Sequence, residues 1–299
     1  MENTLNRRNM LKKATLATTL ALTSSNFNES MGAIETAGGA ELKGRINHSA
    51  CRWCYSSIPF EELVKTASSY GMASIELTGP AEWDMLKKYG LTSAMGQPDK
   101  WPDGLGLTNC FNNVKNHDAL VTLYEDLIPK AAAAGIKNLI TFSGNKNGIS
   151  DEQGLINCKK GLQRIMKTAE KHDVTISMEL LNSKVNHRDY QCDNTEWGAV
   201  LCEMVGSNKF KLLYDIYHMQ IMEGDVIATI KRNQQYISHY HTGGVPGRNE
   251  IDETQELNYP AIMQAILATG YKGFIGQEFI PAKPDKLASL KQGILICDV

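Results

Sequence analysis

The sequence predicts one α/β domain, a single (β/α)8 barrel of the TIM type, preceded by an N-terminal export signal. From residue 44 onward, short apolar segments alternate with longer amphipathic segments, as repeated parallel β/α units require. The chain of 299 residues leaves room for roughly 250 residues of barrel, the usual size of this fold. A doubly wound open sheet is the alternative, but its usual Gly-rich turn after the first strand is missing from the sequence.

Eight predicted strands and the helices between them fill this plan in order. The strands are short and apolar, as strands covered on both faces should be. They lie at 44–50, 72–78, 104–110, 137–143, 174–180, 211–215, 236–242 and 273–279. Several of the intervening segments open with Asp, Asn or Ser and end in Gly, which are helix start and stop signals. The clearest predicted helices span 59–71, 117–135, 152–172, 194–206 and 259–270.

The N-terminus does not fit a packed domain. Arg7 and Arg8 precede a weakly apolar run rich in Ala, Leu and Thr, and polar and small residues follow it. The pattern R-R-x-M-L-K-K resembles the twin-arginine export signal of bacteria. We therefore expect a twin-arginine signal peptide and spacer over 1–40, a barrel domain over 44–299, and export to the periplasm. A disordered basic tail is the alternative interpretation.

Composition limits the expected partners. The formal net charge is −2, so no basic surface for nucleic acid is expected. The sequence has no apolar stretch of about 18 residues or more, so no stable membrane insertion is expected. Cys51 and Cys54 form a C-x-x-C motif, but no second such motif exists to complete a four-cysteine zinc site. We interpret them as two semi-buried thiols at the end of a strand.

Each of the last four predicted strands ends in a residue that can bind a metal. These residues are Glu179, Asp215, His241 and Glu278. The C-terminal ends of barrel strands meet at one face, so the four side chains should converge there. Three carboxylates in an apolar barrel mouth would repel one another, and a divalent cation such as Mn²⁺, Mg²⁺ or Co²⁺ would offset this repulsion. Taken alone, each residue has an ordinary explanation: an ion-paired Glu, a helix-capping Asp or a core His. The metal prediction rests on the occurrence of such a residue in each of four consecutive predicted strands.

Four stretches resemble a known family. They are IELTGPAEWDMLKKYGL (75–91), YDIYHMQIMEGD (214–225), HYHTGGVPGRNE (239–250) and ELNYPAIMQAILATGYKGFIGQEFIP (256–281). Together they are similar to hydroxypyruvate isomerases, which are xylose-isomerase-like TIM barrels, and the resemblance extends from residue 44 to about 282. It is long and specific in the C-terminal half and looser in the N-terminal half.

The resemblance implies roles for individual residues. Glu179, Asp215, His241 and Glu278 fall at the metal positions, and Glu179 and Glu278 are also the catalytic pair. His218 and Arg248 match substrate-contacting positions, and Asn182 is retained in a loop that otherwise differs from the family pattern. Bacterial hydroxypyruvate isomerases carry Gln at the position of His241, whereas ketose 3-epimerases carry His there.

The expected function is a metal-dependent isomerase of the aldose–ketose type that transfers a proton through an enediol. Its substrate would be a small hydroxy-carbonyl acid or sugar, with hydroxypyruvate to tartronate semialdehyde as the leading reaction. A ketose 3-epimerase or another sugar isomerase is the main alternative, and a non-catalytic exported binding barrel is the alternative from another class. Retention of both Glu179 and Glu278 argues against the binding barrel. The sequence leaves a homo-oligomer open.

Overall fold

The computed structural model describes residues 42–299, so the predicted signal peptide and spacer over 1–40 lie outside the described residues. Seven strands are present there: β1 (Asn47–Cys51), β2 (Ser74–Glu76), β3 (Asn138–Thr141), β4 (Thr175–Glu179), β5 (Phe210–Asp215), β6 (Ile237–Thr242) and β7 (Phe274–Gln277). All pairs are parallel, and the strands follow the order β2-β1-β7-β6-β5-β4-β3. The predicted TIM-barrel-like α/β fold is thus confirmed, with seven of the eight strands at their predicted places.

The segment 92–97 takes the eighth position in the ring. It forms isolated parallel bridges to β2 on one side and to β3 on the other. Ile75 N donates to Thr92 O at 3.2 Å, and Ile140 N donates to Gly96 O at 2.9 Å. These backbone bonds join the two edge strands of the sheet, although the segment is too irregular to count as a strand.

The strand predicted at 104–110 is wrong. This segment folds into a turn in which Gly106 and Asn109 form an antiparallel bridge. Gly104 and Gly106 have φ values of 75° and 137°, in the region that favours glycine and that no strand adopts. The alternation G-L-G-L has the period of a strand, but the glycines serve to reverse the chain.

Nine helices surround the described part of the sheet. They are α1 (Phe60–Ser69), α2 (Pro80–Lys88), α3 (His117–Ala134), α4 (Asp151–His172), α5 (Thr195–Val205), α6 (Ile216–Met222), α7 (Val226–Asn233), α8 (Tyr259–Ala268) and α9 (Lys286–Cys297). The five predicted helices match α1, α3, α4, α5 and α8 to within a few residues. Local signals account for this: Ser150 caps α4 through the N–H of Gln153 at 3.1 Å, and Gly135 ends α3 at φ 80°. No helix in residues 42–299 is long and apolar enough to cross a membrane.

Side chains along β6 alternate between the apolar outer face of the sheet and the polar interior of the barrel. Tyr240 faces outward and packs against the rings of Tyr214 and Tyr271, with centroids 6.1 and 5.0 Å away. His239 and His241, on either side of it, point to the other face and are fully buried. The inner face of β6 therefore carries imidazoles where a structural strand would carry aliphatic residues.

Candidate metal and substrate site

Four strands place the predicted metal ligands at one end of the barrel. Glu179 and Asp215 are the last residues of β4 and β5, His241 is the penultimate residue of β6, and Glu278 follows β7 directly. Asp215 and His241 are register partners on adjacent strands. All four side chains are buried, and each offers one ligand atom within 4.8 Å of the other three. We call this set the four-residue cluster; the structure brings together every residue that the sequence placed in it.

The donor atoms of the cluster fit a divalent cation. His241 Nδ1 lies 2.6 Å from Glu278 Oε2 and 3.3 Å from Glu179 Oε1. Even so, His241 Nδ1 and Glu179 Oε1 are buried without a hydrogen-bond partner of good geometry. Unsatisfied polar atoms that face a common centre are costly unless a ligand satisfies them. Three carboxylates and one imidazole are a donor set suited to Mn²⁺, Mg²⁺ or Co²⁺.

Burial and mutual repulsion shape the ionisation of the carboxylates. Burial, together with the charges of Glu278 and Glu179, raises the pKa of Asp215 to about 8. Burial and the charge of Glu278 also raise the pKa of Glu179. Burial works in the same direction on Glu278, but the charges of Arg248 and His241 and the hydrogen bonds to Glu278 together outweigh it and hold the pKa of Glu278 well below its usual range. The two glutamates therefore differ in proton affinity although both are buried.

Arg248 lies against the cluster, as the predicted substrate-facing arginine should. Its Nη2 donates to Glu278 Oε2 at 2.7 Å and to Asp215 Oδ2 at 3.1 Å. Its guanidinium carbon lies 5.2 Å from the centre of the Trp53 ring and 5.5 Å from that of Tyr217, within cation–π range. Its Nε is buried and has no hydrogen-bond partner. Arg248 thus keeps a free donor while it partly neutralises two carboxylates.

His218 and Asn182 form a pair beside the cluster. Asp215 caps α6 by accepting the backbone N–H of His218 at 3.1 Å, which fixes His218 in the first turn. The Asn182 side chain and backbone N–H both donate to His218 Nδ1, at 2.6 and 3.1 Å. Burial lowers the pKa of His218 well below its usual value, which favours the neutral ring. Because Nδ1 accepts hydrogen bonds from Asn182, the proton of the neutral ring sits on Nε2. That Nε2 is buried without a hydrogen-bond partner and lies 3.6 Å from Asp215 Oδ2.

Two residues at the site were missed by sequence reasoning. Trp53, in the short 3₁₀ helix after β1, donates from Nε1 to Glu278 Oε1 at 2.8 Å. Glu76, the last residue of β2, accepts from Nε2 of both His239 and His241 at 2.7 Å. The available signal for Glu76 was the same as for the three carboxylate ligands, an acidic residue at the end of an apolar strand.

The C-x-x-C motif lies under the cluster. Cys51 and Cys54 are free thiols, and both are buried, which corrects the expectation of semi-buried thiols. Cys51 ends β1, and Cys54 lies in the 3₁₀ helix that follows it directly. Cys51 Sγ lies 3.7 Å from His241 Nε2 and 3.8 Å from Glu76 Oε1. The motif thus borders the site instead of forming a redox pair.

Comparisons with known proteins agree with this geometry. A family model described as xylose isomerase-like TIM barrel matches residues 64–295. A protein of Danio rerio named "Putative hydroxypyruvate isomerase" is 32% identical over 235 residues, which cover 77% of this chain and 78% of that protein. The 2-oxo-tetronate isomerase of Cupriavidus necator is 38% identical over a shorter alignment of 108 residues, 36% of this chain and 41% of that protein.

A solved structure supports the fold independently. The crystal structure of an AP endonuclease, family 2, from Brucella melitensis has a TM-score of 0.73 and 23% identity to this chain. It covers 82% of this chain and 97% of its own. At this identity the similarity shows the fold alone. Together with the family model and the named relatives, it leads to one conclusion: the chain belongs to the hydroxypyruvate isomerase family of xylose isomerase-like TIM barrels, and it is an isomerase.

Proposed function

We propose that this isomerase acts on a small hydroxy-carbonyl acid through an enediol, in a metal-dependent reaction, with hydroxypyruvate to tartronate semialdehyde as the leading reaction. The observation that carries the proposal is the convergence of Glu179, Asp215, His241 and Glu278 next to the guanidinium of Arg248. The names of the two relatives add support, because hydroxypyruvate and 2-oxo-tetronate are both carboxylic acids.

The four-residue cluster would hold the divalent cation, Mn²⁺, Mg²⁺ or Co²⁺. A cation bound there would supply a Lewis acid that makes the carbon-bound proton next to a carbonyl acidic enough for a carboxylate to remove. The protein's own contribution is a buried set of four donor side chains that already lie close to one another.

Glu179 and Glu278 provide the proton transfer. Conversion of hydroxypyruvate requires removal of a proton from C3 and delivery of a proton to C2, while the hydroxyl proton moves from one oxygen to the other. The two glutamates come from β4 and β7, which are separated in the sheet by β5 and β6, so they reach the centre from different sides. Burial raises the pKa of Glu179, which suits a group that must accept and return a proton.

His218 and Arg248 would bind the substrate. The neutral His218 ring presents an Nε2–H with no partner in the protein, and Asn182 keeps its proton on that nitrogen. It can therefore donate a hydrogen bond to a substrate oxygen. Arg248 can offer its unpaired Nε to a substrate carboxylate, and its flanking aromatic rings keep the guanidinium in place.

Substitution of Arg248 tests the choice of an acid substrate. Loss of hydrogen bonds to a charged group should raise the KM of Arg248→Lys for hydroxypyruvate roughly 10- to 100-fold. Initial rates with Mn²⁺-loaded full-length protein measure this, and Mn²⁺ affinity serves as the control because Arg248 also touches Asp215 and Glu278.

Two results would contradict the acid substrate. One is an unchanged KM in Arg248→Lys. The other is faster turnover of a neutral ketose, with inversion at C3, than of hydroxypyruvate, which would favour the 3-epimerase alternative. A barrel that binds substrate but exchanges no carbon-bound proton would favour the non-catalytic alternative.

A further inference from the structure

Glu76 is a buried acid outside the four-residue cluster. It ends β2, is fully buried, and pairs in register with Cys51 of β1. Its Oε1 lies 2.7 Å from Nε2 of His239 and 2.7 Å from Nε2 of His241, and its Oε2 has no partner. A buried carboxylate is costly unless it is hydrogen-bonded, so its two imidazole donors account for its stability there. These two hydrogen bonds do not explain why an acidic residue occupies this buried position.

His241 contacts both Glu76 and the four-residue cluster, one with each ring nitrogen. Its Nε2 meets Glu76 Oε1, while its Nδ1 lies 2.6 Å from Glu278 Oε2 and 3.3 Å from Glu179 Oε1. A neutral imidazole has one N–H and one lone pair. Because a carboxylate oxygen only accepts hydrogen bonds, Glu76 holds a proton on Nε2, so that Nδ1 is the ring nitrogen left for a metal bound among the carboxylates of the cluster.

We propose that Glu76 is a positioning residue that fixes the tautomer and the ring orientation of His241, so that Nδ1 is presented as a metal ligand. The inference rests on the proposed function, since it requires a metal at the four-residue cluster. Gly276 makes the arrangement possible: a Cβ at this position would lie 2.6 Å from Glu76 Oε1 and 2.8 Å from His241 Cδ2. Carboxylates that hold the second nitrogen of a ligating histidine in this way commonly tune metal sites.

His239 provides an internal control. It lies two residues before His241 on the same face of β6, is equally buried, and donates to the same Glu76 oxygen. Its other ring nitrogen, Nδ1, has no partner, and His239 is not part of the four-residue cluster. Removal of His239 therefore disturbs the surroundings of Glu76 but leaves the contact between Glu76 and His241.

Mn²⁺ binding to the full-length chain tests the proposal without reference to turnover. Free Mn²⁺ measured by electron paramagnetic resonance gives the affinity of the wild type, Glu76→Gln and His239→Gln. We expect Glu76→Gln to bind Mn²⁺ about 10- to 100-fold more weakly, as for other residues that orient metal ligands. His239→Gln should bind it about as tightly as the wild type. Thermal unfolding of the metal-free proteins reports any loss of folding.

The outcomes separate this proposal from the proposed function. If the wild type binds no Mn²⁺, both are overturned. If the wild type binds Mn²⁺ and Glu76→Gln binds it equally well, only the role of Glu76 is overturned. Cys51, Glu76 and His241 also lie within 4.8 Å of one another. A second ion per chain that Glu76→Gln abolishes would make Glu76 a ligand and would likewise overturn a positioning role.

Nuclear magnetic resonance of the wild type gives a result even if Glu76→Gln does not fold. In Mg²⁺-loaded protein labelled with ¹⁵N-histidine, we expect His241 to carry its proton on Nε2 and to have an unprotonated Nδ1. The signals are assigned by their loss in His241→Gln. A His241 ring protonated on Nδ1 alone would contradict the proposal.

Discussion

Three buried carboxylates and one buried guanidinium determine what the mouth of the barrel can hold. Arg248 balances part of the negative charge, through bonds of 2.7 Å to Glu278 and 3.1 Å to Asp215. The pKa of Asp215, which burial and neighbouring charges raise to about 8, shows that the balance is incomplete. A proton, a metal ion and Arg248 would compete for the carboxylate oxygens of Asp215 and Glu278. Substitution of a single residue of the cluster should therefore change metal affinity or turnover.

Glu278→Gln tests the catalytic role of a single residue. Glutamine keeps an oxygen for the Trp53 indole but cannot accept a carbon-bound proton. Turnover at saturating Mn²⁺ should fall about 10²- to 10⁴-fold, the usual contribution of a general base. Mn²⁺ affinity should also fall, because Glu278 supplies one of the four ligand atoms.

The matched control for this substitution is Glu82→Gln, which removes a partly exposed carboxylate outside the cluster. Steady-state kinetics of both variants at several Mn²⁺ concentrations separate metal loss from base loss. Near-normal turnover of Glu278→Gln at saturating metal would rule out proton transfer by two glutamates.

At the level of elements, local signals predicted most of the fold. Capping residues and the apolar period located five of the nine helices in residues 42–299, and short apolar runs located the seven strands. The remainder depended on contacts that no local pattern encodes. The segment 92–97 pairs with both β2 and β3 without strand-like periodicity, whereas 104–110 has that periodicity but turns on Gly104 and Gly106.

The same contrast applies to the site. Residues at strand ends were predictable because parallel strands of a barrel end at one face. Trp53 was not, because it reaches Glu278 from a 3₁₀ helix across 225 residues of sequence. Glu76 and His239 meet across the barrel interior, and a pairing of that kind is set by the closure of the sheet.

Gly276→Ala tests the packing between β7 and the barrel interior. An added Cβ would lie 2.6 Å from Glu76 Oε1 and 2.8 Å from His241 Cδ2, so one of these side chains must move. We expect a loss of about 1–3 kcal/mol in the free energy of unfolding, as for other overpacked cores. Mn²⁺ affinity should fall as well, because His241 is displaced.

Ile275→Val in the same strand is the control. It removes one buried methylene group, which typically costs about 0.5–1.5 kcal/mol, but supplies no ligand atom to the four-residue cluster. Denaturant unfolding and Mn²⁺ titration of both variants provide the comparison. Equal Mn²⁺ affinity in Gly276→Ala and the wild type would show that the site tolerates displacement of His241.

At the level of the whole molecule, we propose that the barrel is exported through the twin-arginine signal predicted over 1–40. Replacement of Arg7 and Arg8 by Lys should keep the protein in the cytoplasm, because a receptor reads the arginine pair and not the charge. Replacement of Lys12 and Lys13 by Arg, which also conserves charge, should leave export intact. Immunoblots of periplasmic and cytoplasmic fractions measure both, and unchanged export of the Lys variant would contradict the signal.

The central claim is that two buried glutamates move a proton in a metal-dependent isomerisation. Its most direct test is conversion of hydroxypyruvate by the full-length chain in D₂O, followed by ¹H nuclear magnetic resonance with a protein-free control. Because one glutamate removes the proton and the other returns one, the returned hydrogen should come from the solvent. We expect tartronate semialdehyde with deuterium at C2, formed with added Mn²⁺ and abolished by a chelator. Product without deuterium at C2, or no conversion with Mn²⁺, Mg²⁺ or Co²⁺, would contradict it.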